Sequence, residues 1–346
     1  MKALRLLLLF ALTACQTPAI APIASFRPTA ERTVRPQAGS RTHLYAWVSS
    51  GTHDSIERFR LIGGIPAKNP DRVYPRYGGD VAVAGDGTLY VGDSTVTGEA
   101  VIYAFPPDSL RPKRVIIIPD LASQCQAAPG FTGENGIAAD ASGYLFVAIV
   151  TYSSGAGALK QTKAGPPSSS EWPCEGVAIY APGAMGDARP AQVIRYGRGG
   201  DLTALAVDAA DNLYVANSGR NNVDEFANPI VNPTLTRTFR SAYIGKVHAL
   251  ATDREGDIFI AGTDPFYQSG RITRFTPDAK GRGKPTSTIR LAPGAHLFGS
   301  LTESGKVLYV NDTYKSVDLY HAFRNGDQSP FYSAPLVKVW SLATGP

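Results

Sequence analysis

The 346-residue chain predicts an all-β fold, a six-bladed β-propeller, on three observations. The chain contains 35 glycines and 26 prolines, 61 residues in all, and both residue types disfavour long helices. A phrase of two strands joined by a small polar turn recurs five times, and its second strand carries a central aromatic residue. These aromatics, together with that of a sixth strand near the N-terminus, follow one another at 45, 56, 68, 45 and 50 residues. Periods of this length with strand signatures are typical of propeller blades.

The repeated phrase supplies the first two strands of each blade. Its five copies span 81–93, 137–149, 205–217, 250–262 and 300–312. A sixth aromatic strand, 44–50, begins the globular region without a preceding first strand. The six aromatics are Tyr45, Tyr90, Phe146, Tyr214, Phe259 and Tyr309.

A third and a fourth strand complete each predicted blade. The third alternates apolar and polar residues, as a half-buried strand does, in the segments SIERFRL, AVIYAFP, VAIYAPG, NVDEFAN, RITRFTP and SVDLYHAF. A fourth strand follows in four of the repeats, at 114–118, 192–196, 235–239 and 286–290.

The two ends of the chain are predicted to close the ring. Segment 239–252 aligns without a gap to segment 331–344, so the C-terminus supplies an inner strand that has no second strand after it. Pairing this strand, at about 336–344, with strand 44–50 completes the first blade and removes an unpaired sheet edge. We expect the ring to bury one contiguous core, because each blade hides its faces against its neighbours.

The N-terminus predicts export and lipid anchoring. Lys2 and Arg5 precede a short apolar core, which runs into Leu12-Thr13-Ala14-Cys15. This motif resembles the lipobox of bacterial lipoproteins, in which the Cys becomes N-terminal and lipidated. The resemblance implies a signal peptide at 1–14, lipidation of Cys15 and a membrane partner. Gln16 stands where an Asp often marks inner-membrane retention, which favours the outer membrane or the cell surface of a bacterium.

Residues 15–41 form a Pro-rich tether, which places the propeller domain at 42–346. After the N-terminus, no stretch approaches the ~20 apolar residues of a spanning helix. The formal net charge is +5, but no run of Lys and Arg exceeds two residues, and the densest cluster is 271–284. Nucleic-acid binding needs a basic stripe interleaved with aromatics, so no nucleic-acid partner is expected.

Phrases such as LYVANSGRNNVDEFANP and VAIYAPGAMGDARPAQVI resemble NHL-repeat and related gluconolactonase-like six-bladed propellers, over residues 42–345. The resemblance implies the fold. For function it implies several possibilities, because propellers of this kind bind proteins, RNA or glycans, or carry lactonase or lyase chemistry.

Candidate ligand-binding residues lie where the inner strands begin, at the mouth of the propeller channel. Counting back eleven residues from each blade aromatic gives a ring that includes Asn135, Thr203 and His248, with Trp340 placed by alignment. A second ring, formed by the residues two positions earlier in the sequence, includes Tyr77, Asp201, Lys246 and His296. With the neighbouring Glu134, the candidate binding set is Glu134, Asn135, Asp201, Lys246, His248, His296 and Trp340. The alternative is a polar, water-lined mouth in which Trp340 plugs the channel.

No cofactor is predicted, although the resemblance leaves a divalent metal such as calcium open. Gluconolactonase-like propellers hold a divalent metal through Glu, Asn and Asp at this face, and Glu134, Asn217 and Asp312 could stand for these. These three residues do not match the family motif residue by residue. Asn217 ends a second strand, where an Asn side chain commonly caps a turn.

Cys125 and Cys174 remain once Cys15 is lipidated, and both fall in loops of the same face of the third blade. Export favours oxidation, so we expect a disulfide that fastens the 151–176 insertion beside the mouth. Two free thiols are the alternative.

Three functions remain open, one of which is a structural or envelope-maintenance role. The first is a membrane-anchored, extracytoplasmic module that binds a protein or glycan ligand or acts as a scaffold, without catalytic activity. The second is a metal-dependent lactonase-like hydrolase or lyase that uses the channel mouth. No catalytic residue is assigned, and the sequence does not decide whether the protein is an enzyme.

Overall fold

The computed structural model is a six-bladed β-propeller, as predicted. It describes residues 42–49, 54–94, 100–118, 129–130, 136–151, 175–196, 202–240, 243–263, 270–279, 281, 283–291, 297–312, 316–336 and 338–346. These residues form strands and turns, with no helix that could cross a membrane. Six sheets of at least four strands each surround a central channel, and all are antiparallel except for one short parallel edge strand in blade 5. The predicted signal peptide and tether lie outside the described residues.

Blade 1 combines the two ends of the chain and blade 2 follows it. The strands of blade 1, from the channel outward, are β27 (Val339–Gly345), β1 (His43–Ser49) and β2 (Asp54–Ile62), with β3 (Ile65–Pro66) and β4 (Arg72–Pro75) both on β2. Those of blade 2 are β5 (Val81–Val83), β6 (Leu89–Ser94), β7 (Ala100–Phe105) and β8 (Arg114–Ile118).

Blades 3 and 4 keep the same order. Blade 3 contains β10 (Ile137–Ala139), β11 (Leu145–Thr151), β12 (Gly176–Tyr180) and β13 (Gln192–Arg195), with β9 (Pro129–Gly130) on β11. Blade 4 contains β14 (Leu202–Val207), β15 (Leu213–Asn217), β16 (Asn222–Ala227) and β17 (Thr234–Phe239).

Blade 5 gains a fifth strand from its neighbour. It contains β18 (Lys246–Thr252), β19 (Ile258–Thr263), β20 (Gly270–Phe275) and β21 (Ser287–Arg290), and β25 (Gly326–Asp327) adds to its outer edge in parallel. Blade 6 contains β22 (Leu297–Ser304), β23 (Val307–Asp312), β24 (Ser316–His321) and β26 (Tyr332–Ala334).

The ring closes between β27 and β1, as the alignment of the two chain ends predicted. Leu44 pairs with Thr344 and Tyr45 pairs with Ala343. The fourth strand of blade 6, β26, lies within the aligned C-terminal segment. Sequence reasoning missed the outer strand of blade 1, β4, which carries no clear alternation of apolar and polar residues.

Each blade pairs a large aromatic on its second strand with a small residue on its first. Tyr90 lies opposite Ala82, Phe146 opposite Ala138, and Phe259 opposite Ala251. Small side chains near the axis and large ones farther out suit a wedge-shaped blade. The core divides into six clusters, one at each interface between neighbouring blades, and not into the single contiguous core we expected. The expectation was wrong because apolar side chains pack between the blade faces, while the channel separates the blades at the axis.

An Asp side chain closes the turn between the first and second strands in several blades. Asp140 Oδ1 accepts hydrogen bonds from the backbone N–H groups of Ser142 and Tyr144, at 2.9 and 2.8 Å. Asp208 Oδ1 does the same for Ala210 and Asn212, at 2.8 and 2.9 Å. Such Asx turns satisfy backbone donors that strand pairing leaves open.

Arginines join one blade to the turn between the third and fourth strands of the next. Arg58 Nη1 of blade 1 donates to Asp108 Oδ1 of blade 2 at 3.0 Å. Arg237 Nη1 of blade 4 donates to the carbonyl of Ala279 in blade 5 at 3.0 Å. Arg274 of blade 5 stacks over the ring of Phe323 of blade 6 at 4.3 Å. These contacts fix the outer parts of neighbouring blades against each other.

Candidate functional site

The strand order gives the ring two faces with different loops. The mouth face carries the starts of the inner strands and the turns between second and third strands. The base face carries the turns between first and second strands, such as 140–144, and those between third and fourth strands, such as 106–113. Lys246, His248 and Trp340 all belong to the first part of an inner strand, so they lie toward the mouth face.

Three of the residues found by counting back from the blade aromatics are β-bulge residues. The pairing register of the inner strand skips Thr203 in blade 4, His248 in blade 5 and Trp340 in blade 1. A bulge leaves its extra residue out of the ladder and redirects its side chain, and bulges occur frequently beside binding sites. The same irregularity therefore recurs at one end of the channel in three blades.

All six inner strands contribute to the wall of the central channel. Its lining residues are Asp80, Val81, Ile137, Ala204, Leu205, Ala249, Leu250, Ser300, Leu301, Ser341 and Leu342. The cavity they enclose offers about 60 Å³ to the centres of water molecules. Pockets for drug-sized ligands measure roughly 300–1,000 Å³, so the channel has room for only a few water-sized groups, and a drug-sized or larger ligand would lie outside it, at a face.

A polar side chain at the same inner-strand position bonds each of three consecutive blades to the next blade, beside the channel. Ser300 Oγ of blade 6 accepts a hydrogen bond from Leu342 N of blade 1 at 2.8 Å. Ser341 Oγ of blade 1 accepts one from Val81 N of blade 2 at 3.2 Å. A carboxylate oxygen of Asp80 in blade 2 accepts one from the backbone N–H of Gly136 in blade 3. Sequence reasoning missed these residues because their partners belong to the neighbouring blade.

His248 is neutral at physiological pH. Burial, reinforced by the positive charge of Lys246, lowers the pKa of its imidazole to about 4. Its Nε2 lies 2.8 Å from Thr263 Oγ1, at the end of the second strand of the same blade. A neutral imidazole held in this way can offer a hydrogen bond to a ligand, whereas Lys246, which is exposed, supplies the positive charge at this part of the mouth.

Trp340 forms part of an aromatic group at the mouth side of blades 1 and 2. Its ring lies 6.2 Å from that of Trp47, with 39° between the two planes. Tyr77 contacts Tyr103 edge-on at 4.9 Å. Trp47, Tyr77 and Tyr103 pack against one hydrophobic cluster between the two blades, and all four aromatics are partly exposed. Trp47 follows the blade aromatic Tyr45 by two positions, which was the available sequence signal for it.

The chain passes close beneath this aromatic group at Gly78 and Gly79. A Cβ atom on Gly79, whose φ is 150°, would lie 1.7 Å from the carbonyl oxygen of Gly92. A Cβ atom on Gly78 would lie 2.6 Å from Trp47 Nε1. Only glycine fits at these positions, and the absence of side chains there lets Trp47 reach its place.

Asn217 is fully buried and closes the turn after the second strand of blade 4. Its Oδ1 accepts a hydrogen bond from the backbone N–H of Arg220 at 3.0 Å. Asp312 ends the equivalent strand of blade 6. Among the residues that the structure describes, no three His, Cys, Asp or Glu side chains are grouped to hold a metal ion.

The remaining predicted residues fall outside the described part of the chain. These are Cys15, Cys125, Glu134, Asn135, Cys174, Asp201 and His296. The structure therefore brings Lys246 and His248 together on one strand and places Trp340 at the corresponding end of another. It does not test the pairing of the two cysteines.

Scans against protein-family profiles and curated protein sequences give no match. Solved structures do match the fold. A chain in a nidogen/laminin complex superposes with a TM-score of 0.54 at 17% identity, covering 88% of this chain and 98% of that one. A Bacteroides caccae protein of unknown function gives 0.53 at 12% identity with the same coverage, and a Lactobacillus plantarum protein gives 0.51 at 12%, covering 84% and 81%. At these identities the likeness establishes the propeller fold and nothing about ligand or activity.

Proposed function

We propose that the protein is a membrane-anchored, extracytoplasmic propeller that binds a protein or glycan ligand at its mouth face. Lipidation of Cys15 would hold it at the outer membrane or the cell surface. The observation that carries the proposal is the set of β-bulges at Thr203, His248 and Trp340, which recurs at one end of the channel.

The chemistry of the mouth supports binding. Trp and Tyr side chains that are partly exposed supply large, rigid contact areas, and such residues are enriched among binding hot spots. Trp47 and Trp340 meet at an angle, so their surfaces are not hidden by face-to-face stacking. His248 adds a neutral hydrogen-bonding group and Lys246 a cation. Because the channel is too small for a protein segment or a glycan, a ligand of either class would lie across the mouth.

Site-specific photocrosslinking in intact cells tests the proposal. A photoreactive amino acid is placed at Lys246, which is exposed on the mouth face, and in a separate variant at Lys306, which is exposed on the base face. We expect crosslinks to a discrete partner from position 246 and none from 306. The same crosslinks should disappear when Trp340→Ala is added, provided that the thermal unfolding of the variant is unchanged.

Crosslinks of equal yield from both positions, or crosslinks that survive Trp340→Ala, would refute a mouth-centred site. A glycan array probed with the purified protein tests the other ligand class in the same way, since binding must depend on Trp340.

Elemental analysis of the purified protein tests the lactonase-like alternative. A stoichiometric divalent metal that is lost in Glu134→Gln would favour the enzyme and contradict the non-catalytic proposal.

A further inference from the structure

Three exposed aliphatic side chains occupy the same position in three consecutive blades. In each of these blades one residue of the third strand pairs with the blade aromatic. The exposed side chain follows that residue by six positions, and the three are Leu110, Met185 and Val231. Their exposed fractions are 53%, 63% and 83%. Isolated exposed apolar residues are ordinary on protein surfaces, so the unusual feature here is their repetition at one position in three consecutive blades. We call Leu110, Met185 and Val231 the base arc, since all three lie in turns of the base face.

The backbone of each turn in the base arc is fixed. Ser109 Oγ accepts a hydrogen bond from the backbone N–H of Arg111 at 3.2 Å. The backbone of Gly186, next to Met185, bonds to the outer strand of blade 2 through Val115 and Ile117. Val231 N donates to the carbonyl of Asn228 at 3.2 Å. The aliphatic side chains are therefore presented to solvent by ordered turns.

The chain enters the propeller on the same face as the base arc. Strand β1 begins at His43, which pairs with Gly345 at the end of the inner strand β27. An inner strand ends at the base face, so Thr42 and His43, where the described propeller begins, lie on that side. The predicted tether has 27 residues from Cys15 to Arg41 and would span at most about 100 Å when fully extended.

The turns of the base arc carry charges of both signs, and cations predominate beside Leu110. Asp108 in that turn pairs with Arg58 and Arg72, and the turn that presents Met185 carries Asp187 and Arg189, both exposed. Arg111 and Lys113 are exposed in the turn that presents Leu110. The turn of blade 4, from 228 to 233, carries no charged residue, and Leu235 in the following strand is 54% exposed. Basic residues flanking apolar ones are the combination that binds the interface of a membrane with anionic lipids.

We propose that the base arc rests in the surface of the membrane that holds the lipid anchor, so that the propeller stands with its mouth facing away from the bilayer. This inference rests on the proposed lipid anchoring. The lipid on Cys15 would hold the chain at the membrane, and an apolar and basic contact of the propeller with the same surface would fix its orientation. The orientation leaves the mouth accessible to a ligand from the aqueous side.

Met185 provides a native reporter for the test. The chain contains two methionines, and the other, Met1, belongs to the predicted signal peptide. Hydrogen peroxide oxidises an exposed methionine to the sulfoxide, a mass change that peptide mass spectrometry follows at Met185. The full, acylated protein is reconstituted at low density in vesicles of three parts phosphatidylethanolamine to one part phosphatidylglycerol. The oxidation rate is compared with that of Arg111→Glu/Lys113→Glu in the same vesicles.

We expect oxidation of Met185 to be at least about fivefold slower in the wild type than in the double variant. The matched control is Arg324→Glu, which removes an exposed cation from the same face in blade 6, across the ring, and should oxidise as slowly as the wild type. Vesicle flotation is recorded for every sample. Wild-type protein that floats with the vesicles yet oxidises as fast as the double variant overturns the orientation and leaves the anchor intact. Protein that does not float overturns both, and protection that persists without vesicles assigns the arc to a second copy of the chain instead.

Discussion

Ser300 and Leu342 are joined by two hydrogen bonds across the interface between the last blade and the first. Ser300 Oγ accepts from Leu342 N at 2.8 Å and donates to Leu342 O at 3.2 Å. Leu342 belongs to β27, the strand that closes the ring, so one hydroxyl fastens the C-terminal strand to its neighbour beside the channel. The contact complements the pairing of β27 with β1 on the other side.

We therefore expect Ser300→Ala to destabilise the propeller by about 1–3 kcal/mol, because it leaves a backbone N–H and a carbonyl of Leu342 without their partner. Chemical denaturation followed by circular dichroism measures the change in the free energy of unfolding. Ser333→Ala, at an exposed position of β26, is the matched control and should change it by less than about 0.5 kcal/mol. Equal effects of the two substitutions would contradict the role of Ser300.

Deletion of residues 331–346 is expected to destabilise the whole ring. It removes β26 and β27, and so exposes the edges of β24 and β1 and the cluster around Leu44, Phe59 and Leu342. Unpaired strand edges promote aggregation. Solubility and differential scanning calorimetry of the truncated protein provide the measurement. A soluble product with an unchanged melting temperature would show that closure through β27 is dispensable.

Sequence periodicity predicted the blades because the large aromatic and the small inner-strand residue recur within each repeat. Closure was also predictable, since segment 331–344 copies segment 239–252 and so identifies an inner strand with no second strand after it. The contact between Trp47 and Trp340 was not predictable in the same way. It depends on a bulge that moves Trp340 out of register, and a count of residues shows the position of a bulge but not the direction of its side chain.

Gly79 is expected to tolerate no side chain. A Cβ atom would overlap the carbonyl oxygen of Gly92, a backbone atom that cannot move without breaking the pairing of blade 2. An unfavourable φ alone costs about 1 kcal/mol. Gly79→Ala should lower the free energy of unfolding by clearly more than this, because of the added overlap. Gly305→Ala is the control, because Gly305 also has a positive φ of 61° but no atom within 4 Å of its Cβ position. Similar losses in thermal unfolding for both variants would refute the steric argument.

His248 predicts a contribution to stability that depends on pH. Burial lowers the pKa of its imidazole to about 4 in the folded state, below the 6.5 of an exposed histidine. Between these values the unfolded chain binds more protons than the folded one, so this contribution is complete above pH 6.5 and is lost as the pH falls toward 4. The shift corresponds to at most about 3 kcal/mol.

The His248→Gln variant isolates this contribution. Its free energy of unfolding should change less between pH 7 and pH 5 than that of the wild type, and the difference between the two free energies should become independent of pH near pH 8. Other buried groups titrate equally in both proteins, so their contributions cancel in the difference between the two free energies of unfolding. A variant whose profile parallels that of the wild type throughout would show that His248 is not buried in its neutral form.

Asp253 and Asp208 occupy the same position in neighbouring blades but have different surroundings. Asp253 Oδ1 accepts a hydrogen bond from Asp257 N at 2.8 Å, whereas its buried Oδ2 has no hydrogen-bond partner among the residues that the structure describes. Burial, with the nearby charges of Asp257, Glu255 and Glu303, raises the pKa of Asp253 to about 6. In Asp208, Oδ2 accepts from Asn212 Nδ2 at 2.9 Å and from the Tyr214 hydroxyl at 3.1 Å.

The same substitution should therefore have opposite effects at the two positions. At pH 7 Asp253 is ionised in the folded protein, although its buried charge lacks a full set of hydrogen bonds. Because the pKa of Asp253 is higher in the folded than in the unfolded state, the free energy of unfolding falls as the pH rises from about 4 to 6. Asp253→Asn keeps the Oδ1 acceptor and removes the charge, so it should stabilise by about 1–3 kcal/mol at pH 7 and by progressively less toward pH 4. Asp208→Asn places an amide N–H₂ against two donors and should destabilise by about 1–3 kcal/mol. Urea denaturation of both variants at pH 4.5 and 7 measures these changes, and a loss of stability in Asp253→Asn at pH 7 would contradict the unpaired state of Oδ2.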